Sequence, residues 1–525
     1  MQVTRRHLFA GSAALLSLPR QGWAKSITQA ENTINVRTFG AKGDGVTIDS
    51  PAIDRAIEAA AGRGGGTVFF PAGTYASYTI HLKSGVTLYL DRGAILLAAS
   101  VPLQGTTSGG YDQAEPQDPA IEPFQDFGHN HWRNSLIYGE GLHDIAILGE
   151  GLIWGKGLSR GHPDADLPKA ELPGVGNKSI ALKNCRNVQL RDFSVLKGGH
   201  FALLATGVDN LTIENLIVDT DRDGFDIDCC KNVRINNCTV NSPYDDAIVP
   251  KSSFALGYRR DTENVTISNC CVSGSYAVGS MLDATYKPLQ ANRSTWLIGR
   301  IKCGTESNGG FKNIAITNCV FDKCWGLALE TVDGAILEDI AISNITMRDC
   351  VSAPLFLRLG RRMRGPKGLP VGTLRRVLID NLTCTGASQF PMVIAGVDGH
   401  PVEDVKISNV FFQQTGGGDA AMAALMPPAN ESKYPDPNMF GPLPATGAFI
   451  RHARNLELSH MEVTVQTPDV RAGIWMQDAD GFDGSFLKLP AGAPNFVLDR
   501  VSAFRTFGSR SIPDKRFDES ISTRF

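Results

Sequence analysis

Three features that would point to common classes of protein are missing from this sequence. Its 51 Lys and Arg residues against 54 Asp and Glu residues leave a formal net charge of −3, so no global positive field attracts nucleic acid. None of its 11 cysteines stands in a CxxC pair, the usual signature of a structural zinc site. No apolar run reaches the roughly 20 residues that a membrane-spanning helix needs. We therefore expect no nucleic-acid partner, no bound metal and no stable membrane insertion.

The first 24 residues have the composition of an export address rather than of a folded element. The pair Arg5-Arg6 precedes a modest apolar run from Leu8 to Leu18, and small residues around Ala24 fit a cleavage site. This pattern predicts a bacterial twin-arginine signal over 1–24, recognised by the twin-arginine export machinery, and a periplasmic or secreted mature protein. A short buried helix is the alternative. Because that route exports folded chains, the odd number of cysteines favours thiols over a disulfide framework.

The segment after the signal predicts a strand, a helix and a second strand. Ser50 is placed to cap the helix with Pro51 at its first position, and Ile53, Ile57 and Ala60 form an apolar stripe. Glycine-rich turns bound it on both sides. We expect this helix to cover one end of a repetitive fold whose first strands would otherwise be open to water.

A short motif recurs from about residue 140 onward: Asn or Asp, an apolar residue, any residue, and usually Ile or Leu. The copies begin at Asp144, Asn187, Asn210, Asn232, Asn264, Asn313, Asp339, Asp404, Asn455 and Asn495. Each copy fits one coil of a β-solenoid, with inward apolar side chains and with Asn at bends that bond to their stacked neighbours. Cysteines 185, 238, 270 and 319 fit the same scheme as small buried residues. The pattern predicts one all-β domain over 25–525, a parallel β-helix with an N-terminal capping helix.

Two long segments lack both the strand and the helix pattern. Residues 101–135 and 416–448 are rich in Gly, Pro and polar residues. Long irregular segments inside a compact domain are usually functional or mobile. We expect one or both of these loop insertions to wall a binding cleft.

Acidic residues concentrate between positions 219 and 246. Asp223 and Asp245 have the same offset within a local repeat of about 22 residues, which predicts stacked neighbours roughly 4.8 Å apart, and Asp246 is adjacent. Arg300 and Lys302, two apart on a predicted strand, point to one side and face these acids. Crowded carboxylates split their pKa values, which supplies a proton donor and a base near neutral pH. Such a set suits hydrolysis of a sugar-acid polymer and needs no metal or organic cofactor.

The same residues carry a resemblance to a known family. DRDGFD at 221–226, YDDAIVPKS at 244–252 and RIK at 300–302 resemble, in order and spacing, the three motifs of glycoside hydrolase family 28, the polygalacturonases and rhamnogalacturonan hydrolases. The opening FGAKGDG and GGGTVFFPAGTY resembles the wider pectin-degrading group of right-handed parallel β-helix proteins. The resemblance implies an inverting hydrolase in which Asp245 is the general acid and Asp223 and Asp246 activate water. Arg300 and Lys302 would bind the carboxylate of the pectic substrate.

Two positions depart from the family pattern. Polygalacturonases carry a Gly-His-Gly motif one coil further on, and here Gly274 stands where the His would fall. We expect a roomier corner there, with Tyr276 placed to pack on a sugar face, and therefore a preference for mixed rhamnogalacturonan-type linkages over homogalacturonan. The second departure is Arg222, which replaces the Asn or Thr of the first motif.

Two rival functions and one surface feature stay open at this stage. The same fold hosts calcium-dependent polysaccharide lyases, for which the three Asp residues would hold the ion. A non-catalytic carbohydrate-binding β-helix is the second rival. The segment 358–368 holds four Arg and one Lys, and it is either a solvated loop or a surface that guides a polyanion to the cleft.

Overall fold

The computed structural model describes residues 32–101, 110–159, 169–288 and 297–525. The predicted export signal over 1–24 and residues 102–109 of the first loop insertion lie outside the described residues. Within those four ranges, no helix has the length and hydropathy required to cross a membrane.

The chain winds through successive coils that each contribute a front, a back and a side strand. The strands stack in parallel on their counterparts in the next coil. The front strands are Ile80–His81, Ser135–Glu140, Lys178–Lys183, Phe201–Thr206, Asp223–Asp228, Ile248–Lys251, Lys302–Cys303, Leu327–Thr331, Leu355–Leu359 and Met392–Ala395. A parallel bridge between Ile248 and Ile301 links the first six of them to the later ones.

The back and side strands are separate in the first coils and continuous in the later ones. The back strands are Thr33–Asn35, Gly66–Phe70, Val86–Leu90, His143–Leu148, Arg186–Arg191, Asp209–Glu214, Lys231–Asn236 and Thr262–Ser268. The side strands are Asp44–Ile48, Gly73–Ser77, Ala94–Ala98, Leu152–Trp154, Ser194–Leu196, Ile217–Asp219, Thr239–Asn241 and Cys271–Ser273. The long strands that follow are Gly310–Asp322, Ile336–Arg348, Thr373–Ala387, Val402–Gly416, Ala445–Thr467, Ala472–Ser485 and Phe496–Phe507.

One continuous apolar core runs along the inside of the coils, from Ile34 to Ile512. Of the ten predicted bend residues, all but Asn495 have a positive φ, between 53° and 61°. Their side chains form a ladder in which Asn210 donates to Asn187 (2.9 Å) and Asn232 to Asn210 (3.1 Å). The four stacked cysteines are buried, and all eleven cysteines, each in a described range, are free thiols. The prediction of a parallel β-helix built on Asn-rich bends is confirmed.

Both ends of the described stack are covered. The helix Ser50–Gly62 buries Ile53, Ile57 and Ala60 against the first coil. Its N-cap is Asp49 rather than Ser50, and the Asp49 carboxylate instead accepts from the backbone N–H groups of two preceding loop residues. At the other end, two antiparallel strands, Lys515–Phe517 and Ile521–Arg524, pair with the last long strand.

The remaining elements are short and lie in the connections. The 3₁₀ helices are Val36–Phe39, Glu122–Phe124, Phe127–His129 and Pro437–Phe440, the second α-helix is Ala420–Ala423, and the strands Tyr276–Val278 and Lys287–Pro288 form an antiparallel pair. The two predicted loop insertions hold no strand over 110–134 and 417–444. They lie over the front face, where the first brings in His129 and the second brings in Phe440.

Candidate active site

Asp223, Asp245 and Asp246 come together on the front face. One carboxylate oxygen of each lies within 4.8 Å of the other two. The register differs from the expected one: Phe225 pairs with Ile248, and the N–H of Gly224 donates to the carbonyl of Asp246, so Asp246 and not Asp245 is stacked on Asp223. Between these two coils, paired residues of the side strands are 22 positions apart in the chain, whereas paired residues of the front strands are 23 apart. The bend after Asn241 accommodates the extra residue. That residue places Asp245 in the bend, where its side chain is 23% exposed.

Asp246 is the buried anion of the cluster. Its Oδ1 accepts from Arg300 Nε (2.8 Å) and its Oδ2 pairs with Lys302 Nζ. Burial alone raises the pKa of Asp246, but the two cations outweigh it and bring that pKa down to about 2. Asp246 is therefore a carboxylate at any pH near neutrality.

The two cations of the RIK motif are buried with Asp246. Arg300 and Lys302 are each 3% exposed, and Arg300 Nη2 also lies 3.4 Å from Glu330 Oε1. In this arrangement their charge is already used by carboxylates of the chain itself. Their role as binders of the substrate carboxylate stays a prediction.

Asp223 is the carboxyl group that favours a proton. It is buried, and burial followed by repulsion from Asp245 and Asp226 raises its pKa well above the ordinary value, with Lys251 opposing. Its Oδ1 has no hydrogen-bond partner among the described residues. The predicted split of the cluster is thus present as a raised pKa at Asp223 beside a lowered pKa at Asp246.

Asp245 differs from both in its partners. Its Oδ2 accepts from Arg222 Nη2 (2.8 Å) and Nε (3.3 Å), and its Oδ1 accepts from the backbone N–H of Asp246 (3.1 Å). Both oxygens are therefore engaged as acceptors. Nothing in the sequence pattern of the first motif announced this pair with Arg222.

A second buried cluster, defined by Lys251, Asp226, Glu306, His129 and Arg364, lies beside the three acids. Lys251 Nζ lies 2.6 Å from His129 Nε2, 3.3 Å from Asp226 and 3.4 Å from Glu306. Burial, followed by the charge of Lys251, holds the pKa of His129 well below its usual value, so the ring is neutral and its Nε2 accepts from the ammonium. Lys251 belongs to the second motif, but the sequence analysis left it out. Glu306 and His129 are 55 and 122 residues away in the chain from Lys251, so no local pattern could have joined them.

The basic segment 358–368 is neither a solvated loop nor a free cationic surface. Its arginines meet carboxylates: Arg361 pairs with Glu431 (3.2 Å), Arg362 with Asp333 and Arg364 with Glu306. Arg358 is fully buried and donates to two backbone carbonyls. The segment packs the site from outside and leaves little charge to steer a polyanion.

The corner around Gly274 is closed rather than roomy. A Cβ on Gly274 would lie 2.5 Å from the carbonyl carbon of Leu297, so backbone fills the space that the missing His was expected to leave. The ring of Tyr276 packs against that of Tyr286 at a tilt of 54°, with 4.5 Å between the centroids, and its hydroxyl donates to Asp322 (3.5 Å). The expectation of a wider corner is therefore wrong, and the role of Tyr276 on a sugar face stays a prediction.

The geometry also tests whether Asp223, Asp245 and Asp246 could bind a calcium ion. Their oxygens are close enough to share one ion. Arg300 and Lys302, however, already occupy an oxygen each on Asp246, and Arg222 occupies Asp245. The donor set therefore does not fit a calcium site, because the cation would face three positive side chains.

Comparisons with known proteins agree with this architecture. Residues 33–279 match the family model described as "Rhamnogalacturonase A/epimerase, pectate lyase-like". A Vitis vinifera protein named "Probable polygalacturonase" is 27% identical over 401 residues, which cover 69% of this chain and 76% of that protein. The solved family 28 exopolygalacturonase of Yersinia enterocolitica superposes with a TM-score of 0.56 at 18% identity, over 86% of this chain and 78% of that one.

The fold by itself is shared more widely. A surface protein and adhesin of Streptococcus pneumoniae superposes with a TM-score of 0.52 at 16% identity, over 89% of this chain and all of that one. The predicted right-handed parallel β-helix and the predicted enzyme class are both confirmed. The chain is similar to the polygalacturonases, shares the parallel β-helix fold of a glycoside hydrolase family 28 enzyme, and has the enzyme class of its named relatives, that of the glycoside hydrolases.

Proposed function

We propose that this protein hydrolyses galacturonate-containing pectic polysaccharides or oligosaccharides. The observation that supports the proposal is the cluster of three carboxyl groups within 4.8 Å, in which Asp246 is held as a carboxylate and Asp223 favours a proton. The test is product analysis on polygalacturonate and rhamnogalacturonan side by side. New reducing ends from either polymer support the proposal. Products that absorb in the ultraviolet would instead indicate a lyase, and binding without any cleavage would indicate a carbohydrate-binding protein.

The proposed roles follow the family resemblance. Asp245 protonates the leaving oxygen, and Asp223 and Asp246 orient the attacking water, which gives inversion at the anomeric carbon. Both oxygens of Asp246 are already bound by cations, so it suits holding water better than bonding to the sugar. The close spacing of the acids, however, is shorter than the roughly 6.5–9.5 Å typical of inverting pairs. The configuration of the first product, followed by NMR, distinguishes inversion from retention.

The assignment of the acid needs its own experiment, because Asp223 favours a proton and Asp245 accepts from Arg222. A substrate with an activated aryl leaving group does not need a general acid. If Asp245 is the acid, Asp245→Asn loses roughly 10²–10⁴-fold on the natural linkage and much less on the activated substrate. Asp223→Asn then loses activity on both. The reverse pattern would give the acid role to Asp223.

The preferred linkage has two candidates. The family model that matches residues 33–279 is described as "Rhamnogalacturonase A/epimerase, pectate lyase-like", and its first name supports the mixed linkage, whereas the Vitis vinifera relative is named a polygalacturonase. We propose the mixed linkage as the finer specificity, without support from the closed corner at Gly274. Faster cleavage of unbranched polygalacturonate would contradict it and leave the hydrolase proposal standing.

Export by the twin-arginine route is likewise proposed, and a Lys-Lys replacement of Arg5-Arg6 should keep the protein in the cytoplasm.

A further inference from the structure

Arg222 is the residue at which the first motif departs from its family, and it is also the residue that contacts Asp245. The guanidinium places Nη2 at 2.8 Å and Nε at 3.3 Å from one oxygen of Asp245. The backbone around the pair is fixed as well, because the hydroxyl of Ser242 lies 2.6 Å from the Arg222 carbonyl and 2.9 Å from the Asp245 carbonyl. The contact is therefore built into the bend that carries Asp245.

In this arrangement Arg222 holds Asp245 away from the role of proton donor. The guanidinium points two N–H groups at Oδ2 and the Asp246 N–H donates to Oδ1, which leaves only one lone pair, on Oδ1, for a proton. A carboxylic acid that protonates a leaving group must point an O–H at it, and a neutral acid gives up the charge-assisted contact with the guanidinium. Arg222 therefore has to leave Asp245 before Oδ2 can carry and donate a proton.

The group that displaces Asp245 from Arg222 must itself be an anion, because a neutral sugar hydroxyl competes poorly with a carboxylate for a guanidinium. The other cations beside the acids already carry buried partners: Arg300 and Lys302 on Asp246, and Lys251 on Asp226 and Glu306. Arg222 is 25% exposed, and its partner Asp245 is the exposed acid of the three.

We propose that Arg222 senses the carboxylate of the substrate: a galacturonate residue takes the place of Asp245 on the guanidinium and thereby frees Asp245 to act as the acid. This inference rests on the proposed hydrolase function. Arg222 would be a specificity-determining residue that couples recognition of one negative charge to catalysis. A methyl-esterified residue, which is neutral, would bind without releasing Asp245.

The kinetic test uses a galacturonate oligomer and its methyl ester. The wild type should prefer the free acid, and Arg222→Gln should reduce the ratio of the two kcat/KM values about tenfold, the usual scale of one charge-assisted contact. Arg222→Lys, which keeps the charge and loses the fork, should fall between them. The control Arg191→Gln removes a more exposed arginine, paired with Glu214 at 2.8 Å in a back strand, and should leave the ratio unchanged. Equal losses on both substrates with Arg222→Gln would overturn the proposal.

A binding test decides the matter without catalysis. If Asp245 competes with the substrate for Arg222, Asp245→Asn should lower the Kd for the acidic oligomer about tenfold, measured by calorimetry. In the Arg222→Gln background the same substitution should give no such gain, which forms a double-mutant cycle. An equal gain in affinity in both backgrounds would mean that Asp245 only repels the acidic oligomer through its charge, and it would overturn the proposal. A wild type that cleaves neither polymer would refute the proposed function, and this cycle would still decide on Arg222.

Discussion

The two halves of the front face use one backbone repeat for opposite purposes. In the first half, the outward side chains from Asp223 to Lys302 include the acids and bases of the candidate site. In the second half, the strand position of Lys302 continues as Ala328, Phe356, Val393, Phe449 and Trp475. These apolar side chains pack under the second loop insertion, which adds Phe440 and Leu443. The inward residues thus form the core in both halves. The outward residues determine whether a coil contributes to the candidate site or packs against a loop.

Charged residues behave differently in the two halves as well. From Asp223 to Lys302 the buried cations face carboxylates, as Lys302 faces Asp246, whereas the buried Lys178 of an earlier front strand donates to the Asn177 side chain. In the second half Arg358 and Arg451 are buried beneath the loop, donate to backbone carbonyls and lie over aromatic rings. Burial lowers the pKa of Arg358 to about 10 and also lowers that of Arg451. The first pattern holds carboxylates ionised for chemistry, and the second fastens a loop.

The largest effect is expected from Asp246→Asn, because this substitution affects both the candidate site and the buried ion pairs of the first half. The substitution removes the carboxylate that we propose to hold the attacking water, and it leaves Arg300 and Lys302 buried with one partner fewer. We expect hydrolysis to fall by at least 100-fold and the free energy of unfolding to fall by about 3–5 kcal/mol. Reducing-end assays and urea unfolding measure the two quantities.

Its control is Asp261→Asn, which removes a partly exposed pair with Lys312. Such a pair contributes about 0–1 kcal/mol, so both activity and stability should stay near the wild type. An Asp246→Asn variant as stable as this control would show that the buried pairs add nothing to the fold.

The sequence alone predicted the periodic part of this molecule and missed its irregular part. Asn210 and Asn232 indicated the coil because each coil needs, at the same position, a residue that adopts a left-handed backbone conformation and bonds to its stacked neighbour. The motifs likewise indicated Asp223, Asp245 and Asp246, since a spacing of about one coil brings these residues to the same side of successive coils.

The rest depended on contacts that have no local pattern. The extra residue after Asn241 moved Asp245 out of the stack, and this follows from pairing across coils rather than from the spacing of Asn residues. Glu306 reaches Lys251 from a distant loop, and the backbone of Leu297 fills the corner at Gly274. A missing side chain in a sequence therefore does not indicate space.

The second half of the front face should contribute stability without contributing to chemistry. Phe449 is fully buried, stacks on Trp475 at 5.0 Å and lies under Phe440. Phe449→Ala should lower the free energy of unfolding by about 3–5 kcal/mol, from lost burial and a cavity. The kcat on pectic substrate, measured well below the unfolding temperature, should stay within about twofold of the wild type. A selective loss of kcat would join the two halves functionally and contradict the comparison.

The next effect is spread over several pH units and concerns the pH dependence of stability in the first half. Burial raises the pKa of Asp226 to about 8 although Lys251 opposes it. A carboxyl group with a raised folded-state pKa stabilises fully below its ordinary value near 4, and this contribution is lost as the pH rises toward 8. The wild type should lose up to about 1.4 kcal/mol per pH unit from this group over that window.

Asp226→Asn replaces the protonated carboxyl with a neutral group of the same shape. Its unfolding free energy, measured in urea from pH 4 to pH 8, should therefore decline less steeply than that of the wild type. On the acid side the two proteins should behave alike, because stability from Asp246, whose pKa is about 2, is lost in both as the pH falls from about 4 to about 2. Parallel curves across the whole range would show that Asp226 does not hold the proton.

The smallest effect is expected at Arg361, and it separates steering of the substrate from packing of the site. Arg361 is 41% exposed and pairs with Glu431 at 3.2 Å, so Arg361→Ser should change the free energy of unfolding by less than about 1 kcal/mol. Arg362→Ser should cost several-fold more, because Asp333 is buried and would lose its cation. If the segment 358–368 only packs the site, the KM of Arg361→Ser should equal that of the wild type at about 0.01 M salt and also at about 0.1 M salt. Between these two concentrations the screening length falls from about 30 to about 10 Å. A KM that rises at the lower salt alone would restore a steering role to Arg361, whose partner Glu431 is itself partly exposed.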